Sequence, residues 1–246
     1  MQILALHGFT GSGADFELFA PLIEEKWHCP DLPGHGDSQN QDCSPEATQS
    51  LIQQKYEGLP RGRKVIVGYS MGARAALNHA ILNPQQWDGM ILISANPGIE
   101  NEPERLARRR SDEKLAQRIE SDGIDQFLEF WQQQPLMLSQ QKIRSDWLTV
   151  MLANRRTNST QGLAHSLRSF GQGSCPNRWP QLQQLKMPVL CLTGEFDAKY
   201  RRINERIIKQ IPRAEHSVIR DVGHMPHLEN PSICAPTINR FLKTLK

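Results

Sequence analysis

One stretch limits what this chain can fold into: Lys64-Val65-Ile66-Val67-Gly68-Tyr69-Ser70-Met71-Gly72-Ala73-Arg74-Ala75-Ala76-Leu77. It reads as a short apolar strand, a sharp turn carrying a serine, and the start of an alanine-rich helix. Gly68-Tyr69-Ser70-Met71-Gly72 fits G-x-S-x-G, the nucleophile elbow. The spacing has a steric reason. A serine held on so tight a strand-to-helix turn needs neighbours without side chains, two residues to either side. The following helix aims its N-terminus and free backbone N–H groups at negative charge developing beside Ser70. The pentapeptide alone is a weak signal; the strand before it and the helix after it give it weight.

The rest of the chain repeats this strand-then-helix pattern. Ile3–Leu6 reads as a buried strand running into the glycine-rich turn His7-Gly8-Phe9-Thr10-Gly11-Ser12-Gly13, with a helix near Phe16 to Ile23. Trp27 to Ser38 is dominated by prolines and glycines, a turn-rich connection. His35 within it reads as a structural loop histidine. Pro45 to Tyr56 is helical in composition, and Trp87 to Ser94 is a further apolar strand. Such alternation predicts βα units around a mostly parallel central sheet flanked by helices.

Between about Asn96 and Pro180 the pattern changes to polar and helical, with candidate helices at Glu104–Glu120, Ile124–Gln134, Lys142–Ala153 and Gln161–Phe170. Strand patterning resumes at Met187–Asp197. It continues through a helix at Ile203–Ile211, the strand His216–Ile219 and a final helix to Lys246. The expected organisation is an α/β core of residues 1–95 and 181–246, with residues 96–180 inserted as an all-helical cap over the active-site face.

Composition removes several classes of function. With 246 residues and 38% hydrophobic residues, the chain suits one large domain or a core with an insertion. A net charge of +3 is too small to imply nucleic acid as a partner. No apolar run approaches the ~20 residues that span a bilayer, so no stable membrane association is expected. Met1-Gln2 leads straight into a strand without a basic or long apolar leader, which makes the cytoplasm the expected location. Five cysteines without a C-x-x-C pair argue against a disulfide framework and a zinc site. No metal-ligand cluster or phosphate loop is visible, so no cofactor is expected. The oligomeric state is not readable from the pattern, with which a monomer is compatible.

A serine hydroxyl needs a base to take its proton, and the base needs a carboxylate to fix its tautomer. Asp197, in Gly194-Glu195-Phe196-Asp197, and His224, in Gly223-His224, each follow a predicted strand. They fall in the order Ser, Asp, His of an α/β-hydrolase triad. Glu195 is an alternative acid and His227 an alternative base. By the same pattern the N–H groups of Phe9, after the His7-Gly8 pair, and of Met71, after the serine, are candidate oxyanion donors.

Several stretches carry a closer resemblance. They include Leu6-His7-Gly8-Phe9-Thr10-Gly11-Ser12, Asp31 to Gly36, the elbow with Arg74 after it, and Glu104-Arg105 to Asp112. Phe130-Trp131 to Leu136, Gly162 to Arg168, Gly194 to Tyr200 and Gly223-His224 complete the set. Through them the chain resembles the α/β-hydrolase superfamily. Within it, the chain looks like the 2-succinyl-6-hydroxy-2,4-cyclohexadiene-1-carboxylate synthases, the pyruvate-eliminating lyases of menaquinone and phylloquinone biosynthesis. One departure is Ala73, where that family usually has a second glycine.

The resemblance implies a small-molecule substrate with three carboxylates, and the arginines fit such a ligand. Arg74 lies one helical turn past Ser70. A guanidinium donates two parallel hydrogen bonds to a carboxylate. Motif matching carries substrate binding to Arg74, Arg110, Arg155, Tyr69 and Trp131, with Arg109 and Arg156 as neighbouring alternatives; Arg105 and Arg108 read as a solvated helix face. The resemblance further implies that Ser70, Asp197 and His224 act as a general base rather than through an acyl-enzyme. Two other readings share the fold: a serine hydrolase acting on esters or C–C bonds, and a non-catalytic ligand-binding protein.

Overall fold

The computed structural model describes residues 1–246. Its centre is a six-stranded sheet, parallel throughout, in the order β2-β1-β3-β4-β5-β6. In chain order the elements are β1 (Gln2–Leu6), α1 (Gly13–Phe19), β2 (Lys26–His28), α2 (Pro45–Glu57), β3 (Lys64–Tyr69), α3 (Met71–Leu82) and β4 (Gly89–Ile93). Then come α4 (Glu102–Gln132), α5 (Ser145–Arg156), α6 (Thr160–Phe170), β5 (Val189–Gly194), α7 (Ala198–Ile207), β6 (Ala214–Ile219), α8 (Pro226–Glu229) and α9 (Pro231–Lys243).

Strand alternation sorts the core onto the two faces of the sheet. Leu4 and Leu6 of β1 join Ile66, Leu92 and Cys191 on the face covered by α2, α3 and α7. Ile3 and Ala5 join Val65, Val67, Ile91 and Leu192 on the face covered by α1 and α9. Because both faces are covered, the inner strands are apolar throughout. The edge strand β2 was not expected. It is three residues long, and no pattern of period two can show in so short a run.

Between β4 and β5 the chain makes no strand. Helix α4 starts at the N-cap Asn101, whose side chain accepts the Glu104 N–H at 3.0 Å. It is broken at Gly123, where φ is +78° and ψ 173°, so the helix changes direction between its two halves. Helices α4 and α6 bury a separate small core of Ala116, Ile119, Phe127, Leu128, Leu163, Ala164 and Leu167. No helix of the molecule is long and apolar enough to cross a membrane.

Candidate active site

The elbow is built as its spacing demands. Ser70 sits between β3 and α3 at φ +51°, ψ −103°, a backbone conformation that costs a non-glycine residue about 1–3 kcal/mol. A Cβ on Gly68 would come within 2.6 Å of the Ala73 backbone, and one on Gly72 would run into the Leu6 carbonyl. The methyl of Ala73 itself is buried in the core cluster under α3.

Three strand ends bring the predicted triad together. The Ser70 hydroxyl donates to His224 Nε2 at 3.0 Å, and His224 Nδ1–H donates to Asp197 Oδ2 at 2.6 Å. The other oxygen of Asp197 accepts the Tyr200 N–H at 3.4 Å and caps α7. The alternatives lie elsewhere. Glu195 is exposed and its carboxylate accepts the Asp221 N–H. His227 is fully buried, stacked on Phe16, and burial pushes its imidazole down to about 3.

Phe9 and Met71 line the same cavity as Ser70. Met71 opens α3, so its N–H has no intrahelical acceptor, and the Phe9 N–H donates to no group of the protein. The loop under Phe9 is tied down by His7. Its Nδ1–H donates to the Gly8 carbonyl at 2.8 Å, while Nε2 accepts the Leu32 N–H at 2.9 Å. Burial lowers the His7 pKa, which keeps the neutral tautomer that both bonds need. Gly8 admits no side chain, because a Cβ would approach the Tyr69 ring to 2.6 Å. His35 packs edge-on against Phe9 and does not line the cavity.

The cavity, of about 610 Å³, lies between the triad and the β4–β5 segment. Arg74, Arg155, Tyr69 and Trp131 all line it. Arg74 is 8% exposed; one of its terminal nitrogens donates to the Phe170 carbonyl at 3.2 Å. Arg155 is 3% exposed and donates to Gln140 Oε1 at 3.0 Å. Neither forms an ion pair. The Nε–H groups of both arginines and the indole N–H of Trp131 are buried without an acceptor. Burial raises the Tyr69 pKa well above its usual value, so its phenol remains a donor.

Arg110 requires a correction. It is exposed on the outer surface of α4, beside Lys114 and Arg168, away from the triad cavity. Arg108, read from sequence as solvated, lines the cavity instead. Two residues along a helix are separated by about 200° of rotation, so Arg108 and Arg110 face opposite ways. A signal was available: Asp112 lies four residues after Arg108, on the same face. Arg108 Nε–H donates to Asp112 at 2.7 Å, and its terminal nitrogen donates to Gln172 at 2.7 Å. Arg109 donates to the Gly173 carbonyl, while Arg156 is exposed and paired with Asp125. Gln140, Gln172, Lys199 and Tyr200 also line the cavity; Lys199 and Tyr200 fall in the matched stretch Gly194 to Tyr200, but the sequence assigned none of the four a role.

A six-stranded parallel sheet with a strained serine elbow and a Ser-His-Asp relay at its strand ends defines the class, and the comparisons agree. The chain belongs to the alpha/beta hydrolase family, whose model matches residues 3–237. Inside that family it groups with the 2-succinyl-6-hydroxy-2,4-cyclohexadiene-1-carboxylate synthases. It is 30% identical to the synthase of Serratia proteamaculans, over 98% of this chain and 92% of that protein. It is 31% identical to that of Photorhabdus laumondii, over 96% and 84%. Among solved structures, MenH from S. aureus superposes with a TM-score of 0.93 at 30% identity, covering 100% of this chain and 94% of that one.

Proposed function

We propose that this chain eliminates pyruvate from 2-succinyl-5-enolpyruvyl-6-hydroxy-3-cyclohexene-1-carboxylate, giving 2-succinyl-6-hydroxy-2,4-cyclohexadiene-1-carboxylate in menaquinone or phylloquinone biosynthesis. The charge of the cavity carries this reading. Four cations line it, Arg74, Arg108, Arg155 and Lys199, against one acid, Asp112, which Arg108 already engages. A buried guanidinium without an anion is costly to maintain. Three positive charges left over match a substrate with three carboxylates, and each charge-assisted bond is worth about 1.5–3 kcal/mol.

In the chemistry that follows, His224 takes the Ser70 proton with Asp197 holding its tautomer. The serine alkoxide removes the ring proton beside the succinyl carbonyl. Negative charge moves onto that carbonyl oxygen, where the N–H groups of Phe9 and Met71 are the donors at hand. The ring double bond forms as the C–O bond to the enolpyruvyl group breaks. Ser70 now carries the ring proton, and the proton on His224 neutralises the departing enolpyruvate. No acyl-enzyme forms. Residues 96–180 act as the lid of the site and supply Arg108, Trp131 and Arg155.

The test is pyruvate release from substrate generated in situ, measured against its spontaneous decay. Release well above background, abolished in Ser70→Ala and weakened in Arg74→Ala, is the expected result. Background release alongside rapid cleavage of simple esters overturns the lyase reading.

A further inference from the structure

The loop that carries His224 is gripped by a buried carboxylate that the elimination itself does not use. Glu229, at the end of α8, is 6% exposed and forms no ion pair. Its Oε2 accepts the Gly223 N–H at 2.5 Å, and its Oε1 accepts the Met225 N–H at 2.9 Å. These two N–H groups belong to the residues on either side of His224, so one carboxylate brackets the histidine. The His224 carbonyl between them accepts the Ser94 hydroxyl at 2.8 Å.

A third donor reaches Glu229 from the β4–β5 segment. The Ser139 hydroxyl donates to Oε1 at 2.9 Å. Ser139 lies in the single turn Leu138–Lys142, whose other side chains point two ways. Lys142 Nζ donates to the Asp221 carbonyl at 2.6 Å, and Gln140 accepts from Arg155. A side chain at Gly223 would collide with the Ser139 hydroxyl, so the two segments meet here at the closest approach a glycine allows.

We propose that Glu229 is a positioning residue for His224, and that Ser139 links that position to the seating of the β4–β5 segment. Seating the turn Leu138–Lys142 completes the bracket behind the base. Through Gln140, the same turn presents Arg155 to a substrate carboxylate. The inference rests on His224 being the base of the proposed reaction. It requires a carboxylate: the amide of glutamine offers one acceptor oxygen and sets an NH₂ group against a backbone N–H.

Glu229→Gln and Ser139→Ala test this. Active sites are titrated with a fluorophosphonate, in which Ser70 Oγ displaces fluoride from phosphorus while His224 takes its proton. Pyruvate release is then expressed per active site, and the downfield proton of the His224–Asp197 bond is followed by NMR. For Glu229→Gln we expect kcat to fall about ten- to a hundredfold with KM nearly unchanged. Phosphonylation should slow in parallel, and the downfield resonance should shift or broaden. Ser139→Ala should move the same readouts by about two- to fivefold. Wild-type kcat per active site with an unmoved resonance in folded Glu229→Gln overturns the proposal; so does a loss explained by fewer active sites alone. Should Glu229→Gln fail to fold, unchanged kcat and resonance in Ser139→Ala overturn it. Pyruvate release at background in the wild type would defeat the reaction assignment, leaving phosphonylation and the resonance to judge Glu229.

Discussion

The two walls of the cavity treat their polar groups in opposite ways. On the sheet side the proton relay is already engaged: Ser70 with His224, His224 with Asp197, and Asp197 with the backbone of Tyr200. Around the rest of the cavity, buried donors stand unengaged: Nε–H of Arg74 on α3, and, on the facing wall, Nε–H of Arg155 and the indole of Trp131. The first wall is organised before any substrate arrives, which is how a proton relay avoids reorganisation during the reaction. The second holds buried donors that find no acceptor in the protein. The difference separates chemistry from recognition in one cavity.

Breaking the organised wall should cost most. Ser70→Ala removes the group that touches the ring proton, and kcat is expected to fall by on the order of a thousandfold or more. KM should change little, because the arginines remain. Turnover near wild type would sink the assignment of the relay. Breaking the other wall should act on binding first. Arg155→Ala is expected to lower kcat/KM by about a hundredfold, mostly through KM. Arg110→Ala, on the outside of α4, should leave kinetics within about twofold. Equal effects from these two variants would show that the face of α4, and with it the charge argument, has been assigned wrongly.

The sheet wall was the legible one. The serine elbow, Asp197 and His224 follow from local rules: a steric requirement for glycine at two positions and a strand pattern that ends before each residue. The arginine wall was legible only in composition. That arginines crowd residues 105–110 is plain, but which of them turn inward depends on helix phase. The apolar residues that should set the phase of α4 are sparse, and Leu106 among them is exposed. Gln140 and Gln172 were out of reach for a different reason. Their roles come from partners 15 and 64 residues away, Arg155 and Arg108, contacts that local pattern does not encode.

Asp15 offers a test of how far the field of Arg155 reaches. It is 2% exposed, and burial pushes its carboxyl up to about 6 although Arg155 pulls in the opposite direction. Between the ordinary value of 3.8 and 6 the folded chain holds a proton that the unfolded chain has released. Stability therefore falls as pH rises through that window, by on the order of 2–3 kcal/mol, and stays lowered above it. Asp15→Asn should match the wild type near pH 4 and exceed it at pH 7 in chemical denaturation. Parallel curves for the two proteins would refute the raised carboxyl. Arg155→Ala should steepen the wild-type loss, since the opposing charge is gone.

The smallest effect asks whether the two walls belong to one cooperative unit. Asn101→Ala removes the acceptor for the Glu104 N–H at the start of α4 and should cost about 1 kcal/mol. The helices α4 and α6 bury their own small core, separate from those of the sheet. Loss of the cap should therefore speed amide hydrogen exchange in the first turns of α4 while β1, β3 and β4 keep their protection. Arg108 lies two turns from that end, so a modest rise in KM should accompany the fraying while kcat holds. If the strand amides exchange faster by the same factor as α4, the segment and the sheet open together. Recognition could then not loosen without the relay loosening too, and the division between the walls would be one of role alone.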